Sequence, residues 1–230
     1  MPARLLPAAV RGAVLLVGLA AYGVSMALMV RAGLGLDPWD VLHQGLARHT
    51  GMTIGTASAV VGGAVLLAWI PLRNRPGVGT VANVVVIAVT VDAALAVLPA
   101  PTALPVRVGW LVGAVVLNAL ATVLYVGAGL GPGPRDGLMT GIVRRSGLSV
   151  RLVRTSIEAA VLAAGWVLGG AVGVGTVVYA LAIGPLVQLI LRLTPVRVLA
   201  VSGWAEVDPR GATPVECGTM VECRKKTQPT

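Results

Sequence analysis

The side chains best placed to do chemistry are four carboxylates set among apolar residues: Asp40, Asp92, Asp136 and Glu158. A charge near the centre of a bilayer costs at least about 2.5 kcal/mol, so a carboxylate kept there is a functional-site hypothesis by default. The chemistry open to it is uptake of a proton, or capture of a cation or a substrate amine. Asp40 and Asp136 form the strongest pair, because they occupy equivalent places in a motif that occurs twice. Their plainer reading is the capping of a helix N-terminus, where acceptors and negative charge are favoured. Glu158 lies one helical turn after Arg154, on the same face. That pair is either part of a polar transport centre or a structural ion pair, with the arginine reaching toward the membrane surface. Asp92 is expected deep in a helix, where it could bind a proton or a cation. Alternatively it hydrogen-bonds across helices to Asn118 or Gln188, as buried polar groups in lipid require.

Other chemistries find no footing. The histidines are His43 and His49, and the two cysteines, Cys217 and Cys223, fall in a polar tail. No dense cluster of His, Cys and carboxylate points to a metal site. No Walker loop, nucleophile elbow or zinc-protease helix is present. The expectation is a protein that is not an enzyme and uses no cofactor.

The elements that must position these residues are membrane helices. The chain of 230 residues is 56% hydrophobic and 12% charged, whereas a soluble domain carries about 25% charged residues. Its net charge of +9 is therefore read as topology and attraction to anionic lipid headgroups on the cytoplasmic side, not as nucleic-acid binding. Phe is absent and Gly, Ala, Val and Leu dominate; small residues let membrane helices approach closely.

The chain is duplicated. Gly33, Leu34, Gly35, Pro38, Asp40, Leu42, Gly45, Arg48 and Gly51 recur about 96 residues further on, as Gly129, Leu130, Gly131, Pro134, Asp136, Leu138, Gly141, Arg144 and Gly147. Gly77, Gly79, Thr80 and Val81 recur as Gly173, Gly175, Thr176 and Val177. Each copy has a hinge (Gly33, Gly35 and Pro38; Gly129, Gly131 and Pro134) that opens a short helix. In the first, Asp37 suits the N-cap, Pro38 the first helical position and Gly51 the residue past the end. The short helices, about 38–49 and 134–146, cannot cross a hydrocarbon core of about 30 Å. They are either interfacial or re-entrant half-helices.

The expected order is an N-terminal cytoplasmic segment (1–10), a first membrane repeat (11–98), a link (99–106), a second repeat (107–193) and a disordered polar tail (194–230). The first apolar run could pass for a signal peptide, but its counterpart at 107–128 is internal, so it is read as a retained helix. Crossings are expected at 11–30, 54–72, 80–98, 108–126, 150–168 and 176–193, the last broken at Gly184-Pro185. Arg73, Arg75, Arg144 and Arg145 favour both termini in the cytoplasm. Three crossings per repeat is an odd number, so the second repeat must be inverted. The fold expected is thus all-α and polytopic, with about six transmembrane helices in two inverted three-helix repeats, each with a short half-helix. Trp39 is expected as an interfacial anchor. Gly79-Thr80 and Gly175-Thr176 are expected as tight turns with hydroxyl caps, or as sites for an anionic group.

The run Gly33-Leu-Gly-Leu-Asp-Pro-Trp-Asp-Val-Leu-His-Gln-Gly-Leu resembles the YczE/YyaS/YitT family of bacterial integral membrane proteins, and its YczE branch most closely. Gly131-Pro-Gly-Pro-Arg-Asp-Gly-Leu-Met, Arg154 with Glu158, Gly169-Gly170, Gly173-Val-Gly-Thr176 and Gly184-Pro185 extend the resemblance over 11–193. It implies a multi-pass protein of the bacterial plasma membrane, and no binding or catalytic residue is carried over from it. Two functions stay open. One is a transporter of a small molecule or ion, with Asp40, Asp92, Asp136 and Glu158 as its polar centre. The other is a non-transporting accessory or scaffold protein that acts through partners. The oligomeric state is left open.

Overall fold

The computed structural model describes residues 7–194. The expectations for residues 1–6 and for the polar tail, with both cysteines, lie outside the described residues. Within them the chain forms eight helices: α1 (Ala8–Ala32), α2 (Pro38–Thr50), α3 (Ile54–Leu72), α4 (Val78–Val97), α5 (Leu104–Gly127), α6 (Pro134–Ser146), α7 (Val150–Val167) and α8 (Val174–Leu193). Five of them, α1, α3, α4, α5 and α8, are long and apolar enough to cross a membrane. Among the described residues the fold is all-helical, and the protein is polytopic. In the second half α7 takes the place of α3, but Arg151, Arg154 and Glu158 interrupt its apolar run. The short helices α2 and α6 have 13 residues each, or about 20 Å.

Local chemistry sets the ends of the short helices. Asp37 Oδ1 accepts the Asp40 N–H at 2.8 Å, Pro38 opens α2, and Gly51 closes it in the left-handed region. In α6 Gly133 replaces the capping aspartate, while Pro134 and Gly147 keep their places.

Two expected boundaries move. α5 begins at Leu104 and takes Pro105 into its first turn, where a missing N–H costs nothing. α8 runs on through Pro185 where a break was expected. Membrane helices tolerate proline when local adjustments re-satisfy the freed carbonyl.

α1 and α5 form the central pair, and their ends are tied crosswise. Arg11 donates from Nε to Ala128 O (2.8 Å) and from Nη2 to Gly129 O (2.7 Å). Arg107 donates from Nε to Ala32 O (2.7 Å) and from Nη2 to Gly33 O (2.8 Å). Each arginine at a helix start caps the other helix's end, so α1 and α5 run antiparallel. The exchange is reciprocal. The same reciprocity recurs outward. Gly79 N donates to Leu130 O (2.9 Å) and Gly175 N to Leu34 O (2.7 Å). Arg48 holds Gly169 O (2.6 Å) and Arg144 holds Leu72 O (2.8 Å). Each short helix therefore packs on a long helix of the other half, α2 on α7 and α6 on α3.

The apolar core lies along α1, where Leu15, Leu19 and Met26 meet Ile87 and Val91 of α4 and Ala121 of α5. Valines and leucines cover much of the outer surface of α4, α5 and α8, the surface that lipid would face.

Candidate functional site

The site is built by the two hinges. Gly35 and Gly131 have φ of 116° and 126°, which side-chain-bearing residues rarely adopt. A Cβ at Gly35 would also meet the backbone of Gly173 and Thr176 within 2.9 Å. Each hinge thus lies flat against the other half near the start of its last helix. From there Asp37 and Asp40 enter the interior, each 1% exposed, while Arg48 at the far end of α2 stays at the surface.

The N-termini of α2 and α6 meet there. Arg135, the second residue of α6, brings Nη1 to 3.8 Å from Asp37 Oδ2 and Nη2 to 3.6 Å from Asp40 Oδ1. Its guanidinium lies 4.9 Å over the Trp39 ring, a cation–π contact. Nη1 also donates to Tyr22 Oη at 3.3 Å. His43 Nδ1 stands 3.2 Å from Asp40 Oδ1. Asp37 Oδ2 and Asp40 Oδ2 are buried with no hydrogen-bond partner.

Burial pushes the carboxyls of Asp37 and Asp40 up to about 6. The charge of Asp40 raises Asp37 further, and Arg135 opposes the rise at both. Burial, then the nearby guanidinium, lowers His43 to about 3. A neutral imidazole carries one ring proton, and opposite an ionised Asp40 the favoured tautomer places it on Nδ1, as donor to Oδ1.

Of the candidate residues, Asp40, Asp136 and Asn118 come together in this central region. Asp136 Oδ2 accepts from Tyr125 Oη at 3.4 Å. Asn118 donates to Ser25 Oγ (2.9 Å) and accepts from Tyr179 Oη (3.0 Å). Asp92 is elsewhere. It accepts from Thr53 Oγ1 (2.6 Å) and Gly55 N (2.8 Å), capping the start of α3 from the end of α4. Those are its partners in place of the expected Asn118 or Gln188. Gln188 is exposed on α8. Arg154 Nε donates to Glu158 Oε1 at 2.9 Å, with the side chains 52% and 37% exposed.

Glu158 also borders a cleft of about 300 Å³ between α7 and α8. Thr155 and Leu162 on one wall face Thr176 and Ala180 on the other, and the cleft reaches Pro38 at the start of α2. Trp39 is not an interfacial anchor: it is buried under Arg135, because the end of α2 that carries it is the inner one.

Sequence reasoning gives Arg135 no role beyond its place in the second motif, and Asp37 only that of a cap. Aligning the copies could have found both. Arg135 stands where the first copy has Trp39, and Asp37 stands where the second has Gly133. The first copy thus carries an acidic residue, and the second a basic one, where its counterpart has neither charge. Among the described residues no group of three or more His, Cys, Asp or Glu could hold a metal ion.

The sequence model of a family of unknown function (DUF6198) matches residues 9–192. An uncharacterized protein of Haemophilus influenzae is 43% identical over 180 residues, covering 78% of this chain and 83% of its own. The uncharacterized membrane protein YczE of Bacillus subtilis is 37% identical over 183 residues, covering 76% and 79%. No solved structure matches the chain.

Proposed function

The chain belongs to this family of unknown function (DUF6198), with YczE among its relatives, and from that premise we propose that it is a membrane carrier for a small molecule or ion. In this reading the two halves are inverted repeats, α7 is a sixth crossing, and α2 and α6 are re-entrant half-helices. Both termini face the cytoplasm of a bacterial plasma membrane. The observation that carries the proposal is the meeting of two half-helix N-termini, one from each half, where the buried Asp37 and Asp40 face the partly buried Arg135. Carriers of inverted-repeat architecture place their sites where such broken helices meet.

Two further features support it. The crosswise bonds of Arg11 and Arg107 are what antiparallel halves require. The cleft between α7 and α8 comes within one residue of Asp37, at Pro38, while the equivalent seam between α3 and α4 is packed shut. One seam open and its counterpart closed is the asymmetry that alternating access needs. The cluster serves binding in this reading, not bond-breaking chemistry. The rival reading, an accessory protein, draws on the pairing of Glu158 with Arg154 and on the apolar outer face of α8, with Val177, Leu181 and Leu193.

Thiol accessibility decides between them. In full-length protein with Cys217→Ser and Cys223→Ser, single cysteines at Asp40 and Asp136 are challenged with an impermeant maleimide from each face of the membrane. A carrier admits water to the central region, so both Asp40→Cys and Asp136→Cys are labelled from at least one face. Protection of both from both faces, in protein that remains folded, would leave the accessory reading standing.

A further inference from the structure

We propose that Asp37 and Asp40 form a proton-binding site that holds one proton between them. The inference does not depend on transport, since a proton bound here would be bound equally in an accessory protein.

The argument begins with unequal charges. Two carboxylates, each 1% exposed, face one guanidinium. Arg135 stands at ion-pair range from both, 3.8 and 3.6 Å, just beyond ordinary hydrogen-bond length. One positive charge cannot neutralise two negative ones, so one carboxylate is in excess.

The oxygens tell the same story. An ionised carboxylate offers about four lone-pair sites. Asp37 uses one oxygen to accept from Asp40 N, and Asp40 uses one to accept from His43. The second oxygen of each has no hydrogen-bond partner. A buried charge left so bare takes up a proton in preference to staying ionised. The new O–H then becomes the donor that the site lacks, and the proton belongs to the pair, not to either residue.

The surroundings add no second cation at the pair itself. From α1 comes Tyr22, whose hydroxyl accepts from Arg135, and from α8 Tyr179, whose hydroxyl donates to Asn118. From α2 comes His43, whose Nδ1–H points at Asp40. From α6 come Arg135 and Asp136, and Asp136 brings a further carboxylate with Tyr125 of α5 as its donor and Arg154 of α7 as a nearby positive charge. From α7 comes Glu158, which borders the cleft at Pro38 and is already paired with Arg154. A hard metal cation would need six or more oxygen ligands or retained waters, beside a guanidinium that repels it. A proton needs one oxygen and no space.

The test is infrared difference spectroscopy of the full-length protein in lipid bilayers as pH is lowered. We expect a carboxylic-acid C=O band to grow in with a midpoint near the raised value of about 6, well above an ordinary aspartate at about 3.9. The band should be lost in Asp37→Asn with Asp40→Asn and kept in Asp92→Asn. It should not move when Na⁺ or K⁺ replaces a large organic cation at constant ionic strength. Absence of any such band from wild type above about pH 4.5 would overturn the proposal, whether or not the variants fold. A midpoint that falls as Na⁺ or K⁺ is added would overturn it too, by showing that a metal cation competes for the site.

Discussion

At Gly55 and Gly62 α3 offers α4 no side chain at all, whereas the equivalent positions of α7 carry Arg151 and Glu158. The consequence is visible in the packing. A Cβ at Gly55 would collide with Ala88 O and the Asp92 carboxylate, and one at Gly62 would stand 3.0 Å from Val84. With glycine there, the two helices close and Asp92 latches them by capping α3. In the second half the latch is gone, because Gln188 replaces Asp92. α7 and α8 scarcely touch, and the cleft lies between them. The same duplicated scaffold is thus sealed along one seam and open along the other, by a few substitutions of small residues for charged ones.

The comparison breaks most violently if the first seam is given the second's residue. Gly55→Arg should destabilise the protein by more than about 4 kcal/mol, seen as loss of monodisperse protein on size-exclusion chromatography. Next comes the charge that unites the halves. Arg135→Ala strands two buried carboxylates, and losing one partner of a buried pair costs about 3–5 kcal/mol.

That loss should depend on pH. Asp37 and Asp40 are raised in the folded state to about 6, against about 3.9 unfolded. The folded state therefore binds more protons between those values. The stability this gives is fully present below about pH 4 and lost as pH rises through about 6. The melting temperature of Arg135→Ala should accordingly recover on acidification from neutral pH toward about pH 5.

Asp92→Ala should cost about 1–2 kcal/mol through the lost cap. It should also raise maleimide labelling of Val84→Cys toward that of its counterpart in the open seam, Ala180→Cys. If labelling stays low, the glycines alone hold the seam shut. The smallest effect is expected for Glu158→Gln, whose half-exposed ion pair should change the unfolding temperature by no more than about 0.5 kcal/mol allows. A large effect there would mean that the open cleft depends on the pair.

Much of this molecule was legible because duplication made the signals redundant. Pro38 and Pro134, Gly51 and Gly147, and the glycines of both hinges mark the short helices through backbone chemistry that needs no tertiary information. The partners were not legible. Asp92 lies a few residues from the end of a helix, and only the fold shows that the start of α3 comes to meet it. Trp39 has the composition of a surface anchor, and only the inward course of the hinge buries it. Arg135 was one arginine among many, and its role comes from two helix starts meeting from separate halves.

The crosswise arginines also bear on how the protein is made. The last carbonyls of α1 are capped by Arg107, which leaves the ribosome only after α4 is complete. Until then the end of α1 and the adjoining hinge must find other donors, such as water. The pairing of α1 with α5 therefore completes only once the second half has begun to emerge. Expressed as two separate polypeptides, the halves should each be degraded alone and rescue one another when produced together.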